Sequence, residues 1–123
     1  MLMRIPSLVL AAAFTVTAST SFAENVRIAF IDPLSGPFAP VGQNLFNSFK
    51  TIAELSNQKQ WGGQNTVEIV GFDNKGSPQE SLIQLKAAID QGYRYITQGN
   101  GSGVALALID AINKHNDRNP VSY

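Results

Sequence analysis

Cysteine is absent from this 123-residue chain, and histidine occurs once, at His115. The first absence excludes a disulfide framework, thiolate metal sites, a cysteine nucleophile and a lipidated N-terminal cysteine. The second excludes multi-histidine metal sites and leaves a hydrolytic triad only one candidate base. Charge is sparse too. Charged residues make up 15% of the chain, below the roughly 25% of an ordinary soluble protein. Nine basic residues balance nine acidic ones, so a phosphate-binding surface, and with it a nucleic-acid partner, is not expected. The few aromatics are scattered and form no stacking platform.

What is present begins with a leader pattern. Arg4 supplies a short basic start, Leu8 to Phe14 is an apolar run, and Ser21-Phe22-Ala23 places small residues where a signal peptidase accepts them. The pattern predicts a secretory signal over residues 1–23 with cleavage before Glu24, and a cut after Ala18 as second choice. The run is too short for a membrane anchor, which needs about 18 apolar residues. Export of a cysteine-free domain implies the periplasm or the cell exterior. Removing the leader leaves 100 residues with eight basic and nine acidic side chains. A chain of that size buries only about 60–68% of its unfolded surface.

Three strands alternate with three helices along the remainder. Val26–Ile31 is an apolar, β-branched run closed by Asp32-Pro33, and Ser35-Gly36-Pro37 with Pro40 reads as loop. Leu45, Phe49, Ile52 and Ala53 recur at helical spacing between Gln43 and Ser56. Thr66–Phe72 is a second strand. Ser77 then reads as an N-cap, Pro78 as the first helical residue and Glu80 as the partner in a capping box. Leu82, Leu85 and Ile89 mark the inner face of that helix, and Gly92 its C′ position. Tyr93–Thr97 is a third strand. A helix from Val104 to Lys114 follows, with Ala105, Leu108, Ile109 and Ile112 inward, and Val121–Tyr123 opens a fourth strand. This order implies an α/β fold, a parallel sheet with helices on both faces, and it places function at the carboxyl ends of the strands.

Two loops there are specialised, Asp32–Gly42 and Gln98–Gly103. Gly99-Asn100-Gly101-Ser102-Gly103 lies between a strand and a helix, where backbone N–H groups and the helix dipole favour a carboxylate or phosphate. The same groups would serve a helix cap and a tight turn, and spacing alone does not separate the two. The pattern is G-x-G-x-G rather than the G-x-G-x-x-G of dinucleotide sites, and it follows the third strand. Ser35 lacks the G-x-S-x-G setting of an activated serine. Asp73 sits in ordinary turn composition, Asp73-Asn74-Lys75-Gly76. His115 ends a helix without an orienting partner, and Trp61 reads as surface packing. No nucleophile, base and orienter assemble, so no enzyme and no cofactor is expected.

Three segments together carry a resemblance: Ile31–Gly42, Phe72-Asp73 with Pro78 beyond, and Gly92–Ile96 with the loop ending at Ser102. From Val26 to about Ala111 the chain resembles the N-terminal lobe of the periplasmic substrate-binding proteins of branched-chain amino acid ABC transporters, a type I periplasmic binding fold. The resemblance implies a partial first lobe, residues 24–123, of a protein whose two lobes close on a ligand. It implies that Ser102 binds the ligand's carboxylate and that Asn100 and Gly101 adjoin it. Val41 stands where many relatives place an aromatic against the ligand. Implied partners are a small carboxylated solute, an amino acid or analogue, and an inner-membrane ABC permease. A ligand-sensing lobe, a small exported enzyme using Asp73 or Ser35, and a truncated product without function are the rival expectations.

Overall fold

The computed structural model describes residues 22–120. The leader expected over residues 1–23 therefore lies almost wholly outside the described residues, as does the strand expected at Val121–Tyr123. Within them the order is β1 (Asn25–Asp32), α1 (Ala39–Gln58), β2 (Thr66–Asp73), α2 (Pro78–Asp90), β3 (Tyr95–Thr97) and α3 (Ser102–Arg118). The strands form one parallel sheet in the order β2-β1-β3.

β1 is central, which is why its second half, Ala29 to Asp32, is fully buried and why its sequence runs apolar without alternation. The pleat sends Ile28 and Phe30 to one face and Ala29 and Ile31 to the other. α1 covers the first face through Ala53, Leu45 and Phe46. Phe30 meets Phe46 and Phe49 at ring distances of 5.6 and 5.2 Å. Burying a side chain of that size stabilises by about 2–3 kcal/mol. α2 and α3 cover the second face, where Leu85, Ala88, Val104 and Leu108 pack on Ala29, Ile31 and Phe72. Helices thus lie on both faces of a parallel α/β sheet, as the sequence implies.

Local chemistry sets the boundaries. α1 begins four residues earlier than its apolar spacing suggests, because Pro40 in the first turn has a preset φ and needs no donor. Ser77 caps α2 by accepting the Glu80 N–H at 3.3 Å. The second half of the expected capping box is not made, since the Ser77 N–H donates to the Asn74 carbonyl instead. α2 closes in a Schellman motif: the Gly92 N–H bonds Ile89 O at 2.9 Å, and the Tyr93 N–H bonds Ala88 O at 3.0 Å. Gly92 has φ +82°, as a C′ glycine should. That motif uses the Tyr93 N–H, so β3 starts at Tyr95 rather than Tyr93.

Leu82 and Ile109, expected inward, are exposed, and so is Ile52 of the α1 apolar row. Ile52 is 61%, Ile109 55% and Leu82 42% exposed. The apolar arcs of the helices are wider than the face a three-stranded sheet offers them.

Candidate functional site

Parallel pairing brings the carboxyl ends of all three strands to one rim. Asp32 and Asp73 end β1 and β2 as register partners, and Phe30 pairs with Thr97 of β3. The loops that leave this rim are held by carboxylates.

Asp73 holds the loop after β1. Its Oδ1 accepts the N–H groups of Leu34, Ser35 and Lys75 at 2.9, 3.2 and 2.9 Å, and its Oδ2 accepts the Ser35 hydroxyl. Burial raises the Asp73 carboxyl, but the hydrogen bonds from Ser35, Lys75 and Leu34 outweigh it, and the net shift is downward. A carboxylate stabilised in this way is a poor proton acceptor for Ser35, so the pair fits a loop clamp. His115 lies at the other end of α3, on a concavity it shares with Tyr93 and Asn119. The same loop is fastened again where Gln43 Nε2 donates to the Leu34 carbonyl at 2.9 Å. Gly42 lets α1 approach it: a Cβ there would lie 1.8 Å from the Pro33 oxygen.

Asp32, fully buried, holds the loop after β3. Its Oδ1 accepts the Gly99 and Asn100 N–H groups at 3.1 and 2.9 Å, and its Oδ2 accepts Asn100 Nδ2 at 2.7 Å. The sequence shows Asp32 only as the end of a strand. Its signal was a charged residue closing a wholly apolar run, but its partners lie 67 and 68 residues away. Leu45 of α1 packs against Gly99, where a Cβ would come within 2.6 Å of its Cδ1.

Past this tether, Gly101 takes φ +86° and serves as the N-cap of α3. Ser102 is therefore the first helical residue and not the cap. No side chain caps α3, and its first intrahelical bond is from Ala105 N–H to Gly101 O at 3.0 Å. The N–H groups of Ser102, Gly103 and Val104 point out of the helix start, the arrangement that receives an anion. Asn100, Gly101 and Ser102 are thus contiguous at the mouth of α3, though the Asn100 amide N–H is committed inward to Asp32. Val41 stands on the first turn of α1 at the same rim, 52% exposed, one turn before Leu45.

A concavity of about 640 Å³ lies elsewhere. Tyr93, Arg94, Tyr95, His115 and Asn119 line it beside β3. None of the rim residues contributes to it. Among the described residues no group of three potential ligands could hold a metal ion, and no helix is long and apolar enough to cross a membrane.

Comparison with known proteins gives a consistent set of likenesses. A sequence profile described as periplasmic binding protein matches residues 25–121. Leu/Ile/Val-binding protein homolog 4 of Brucella abortus is 35% identical over 104 residues, covering 83% of this chain and 24% of the relative. The closed conformation of a leucine-, isoleucine-, valine-, threonine- and alanine-binding protein from Brucella ovis superposes with a TM-score of 0.65 at 34% identity, covering 80% of this chain and 25% of that one. A solute-binding protein of an R. palustris ABC transporter, in complex with 4-hydroxybenzoate, gives a TM-score of 0.60 at 27% identity, covering 73% and 24%. The chain spans about a quarter of the length of the relatives it matches.

Proposed function

Because this chain belongs to the periplasmic binding protein family, we propose that it serves extracytoplasmic solute binding for ABC-transporter uptake, taking an amino acid or related small carboxylated solute. The observation that carries this reading is the start of α3, uncapped by any side chain and approached through a glycine of positive φ. Three N–H groups and the Ser102 hydroxyl would bind the carboxylate there, helped by the helix dipole. Gly101 and Asn100 shape the approach, and Val41 would help set which side chain is accepted. The solutes named for the Brucella ovis and R. palustris proteins fit this anchor, since each joins a carboxylate to a different body.

The remaining parts of the proposal follow from the same premise. A binder of this family presents its solute to an inner-membrane permease, works in the periplasm and performs no chemistry on what it carries. The basic and apolar pattern of residues 1–23 supports export as a secretory leader.

The test is an NMR titration of the chain with L-leucine and benzoate, alongside leucinamide and benzamide. The carboxylates are expected to move the amide signals of Ser102, Gly103 and Val104, and the amides to leave them in place. Ser102→Ala should weaken the carboxylate response by about tenfold, the worth of one charge-assisted hydrogen bond. Shifts confined to the groove beside Tyr93 and His115 would overturn the assignment.

A further inference from the structure

We propose that Asp32 is a positioning residue for the solute site, acting through the loop it holds rather than by touching the solute. The inference rests on the carboxylate-binding reading above. Asp32 is fully buried, so it has no surface to offer a ligand. Its carboxylate accepts three hydrogen bonds from two consecutive residues, Gly99 and Asn100, which immediately precede the cap of α3.

The consequence is a division of donors along one stretch of backbone. The N–H groups of Gly99 and Asn100 are turned inward to a carboxylate supplied by the protein. Those of Ser102 to Val104 are turned outward, and Gly101, at φ +86°, is the point of reversal. An incoming carboxylate therefore meets only the helix start, already oriented, and has no loop to reorganise. Preorganised donors strengthen binding because the cost of fixing them was met in folding. Asp32 also places a carboxylate beneath an anion site, which by charge alone would weaken anion binding. Positioning and repulsion thus predict opposite results when Asp32 is removed.

Asp32→Leu and Asp32→Asn in the full chain separate these effects. Asn retains the fork, because its oxygen accepts both backbone N–H groups while its amide donates to an Asn100 side chain turned over. The readouts are hydrogen exchange at Gly99 and Asn100, and the acetate-induced shifts of the Ser102, Gly103 and Val104 amides. In Asp32→Leu, exchange should rise by about tenfold or more and the acetate response should fall by a similar factor. In Asp32→Asn both should stay within about threefold of the parent, a rescue that requires the hydrogen bonds and not the charge.

The proposal is overturned if Asp32→Leu keeps both properties, if its acetate response strengthens, or if Asp32→Asn behaves like Asp32→Leu. Should Asp32→Leu fail to fold, Asn100→Ala removes only the 2.7 Å side-chain bond and leaves Asp32 in place. It should lose acetate response severalfold in a chain that still folds, with a melting temperature lowered because one buried Asp32 oxygen loses its donor, and an undiminished response overturns the idea. If acetate moves none of the three amides in the unaltered chain, the solute-site reading fails. The exchange rates at Gly99 and Asn100 then still decide whether Asp32 orders the loop.

Discussion

The Asp73 carboxylate accepts four hydrogen bonds, from residues on two different loops. Asp73→Asn keeps the shape and loses much of the attraction, at a cost of about 1–3 kcal/mol read from urea denaturation. The effect depends on pH in a fixed direction. The folded-state carboxyl lies below its ordinary value of 3.8, so its stabilisation is complete above that value and is lost as pH falls through the folded one. The parent should therefore lose more stability than Asp73→Asn between about pH 6 and about pH 3. Gly103 makes the opposite case. A Cβ there meets nothing within 4 Å, so Gly103→Ala should stabilise α3 by about 0.5–1 kcal/mol in thermal melts. The same methyl would crowd an anion at the helix start and weaken the leucine response. A variant more stable and equally responsive would count against the site.

The residues legible in the sequence are those whose partners are near in the chain. Ser77 caps a helix three residues away, and Gly92 closes one across a single turn, so each announces itself. Asp32 and Gly42 do not. The one acts on a loop 67 residues on, and the other matters because of a carbonyl that only the folded chain brings against it. The glycine loop reads in the sequence equally as an anion cradle or a helix cap, and which of its donors face inward is shown only by the carboxylate that serves Gly99 and Asn100.

At the scale of elements, the order and direction of strands and helices follow from periodicity and right-handed crossover, while their exposure does not. Among the described residues α1 is the helix on its face, and its side toward β3 is marked by Leu45 against Gly99. Val41 and Ile52 continue that flank, both more than half exposed, and Tyr95 of β3, 54% exposed, is in register with Ile28 on the same face. Apolar residues in such positions do not secure the fold of this chain. Ile52→Lys is expected to change stability by no more than about 0.5 kcal/mol. It should lower self-association in light scattering at high concentration, because it breaks an exposed apolar strip.

At the scale of the whole molecule, the two ends of the sheet have separate duties. The carboxyl rim carries the loops and the open helix start. The amino end carries Arg27, which stacks over Tyr93 at 4.1 Å, donates to its hydroxyl and approaches Glu68 at 3.7 Å. Arg27→Ala should cost about 1–2 kcal/mol of stability through lost packing on Tyr93, seen as a lower melting point, and leave the amide shifts of the α3 start unchanged. A loss of those shifts without unfolding would contradict the separation.

The carboxylates of the rim reach beyond their own loops. Asp73 of β2 grips the loop after β1, Asp32 of β1 grips the loop after β3, and the Asp32 carbonyl takes the Asn74 N–H at 3.1 Å. Each strand end is laced to the next, like eyelets on one cord. Slack introduced at any eyelet is shared along the row, and tension applied at one is felt at the others. A solute drawn to the mouth of α3 would tighten the lacing as far as the segment leading to Val41, so the two sides of that mouth would stiffen together through Asp32 and Asp73.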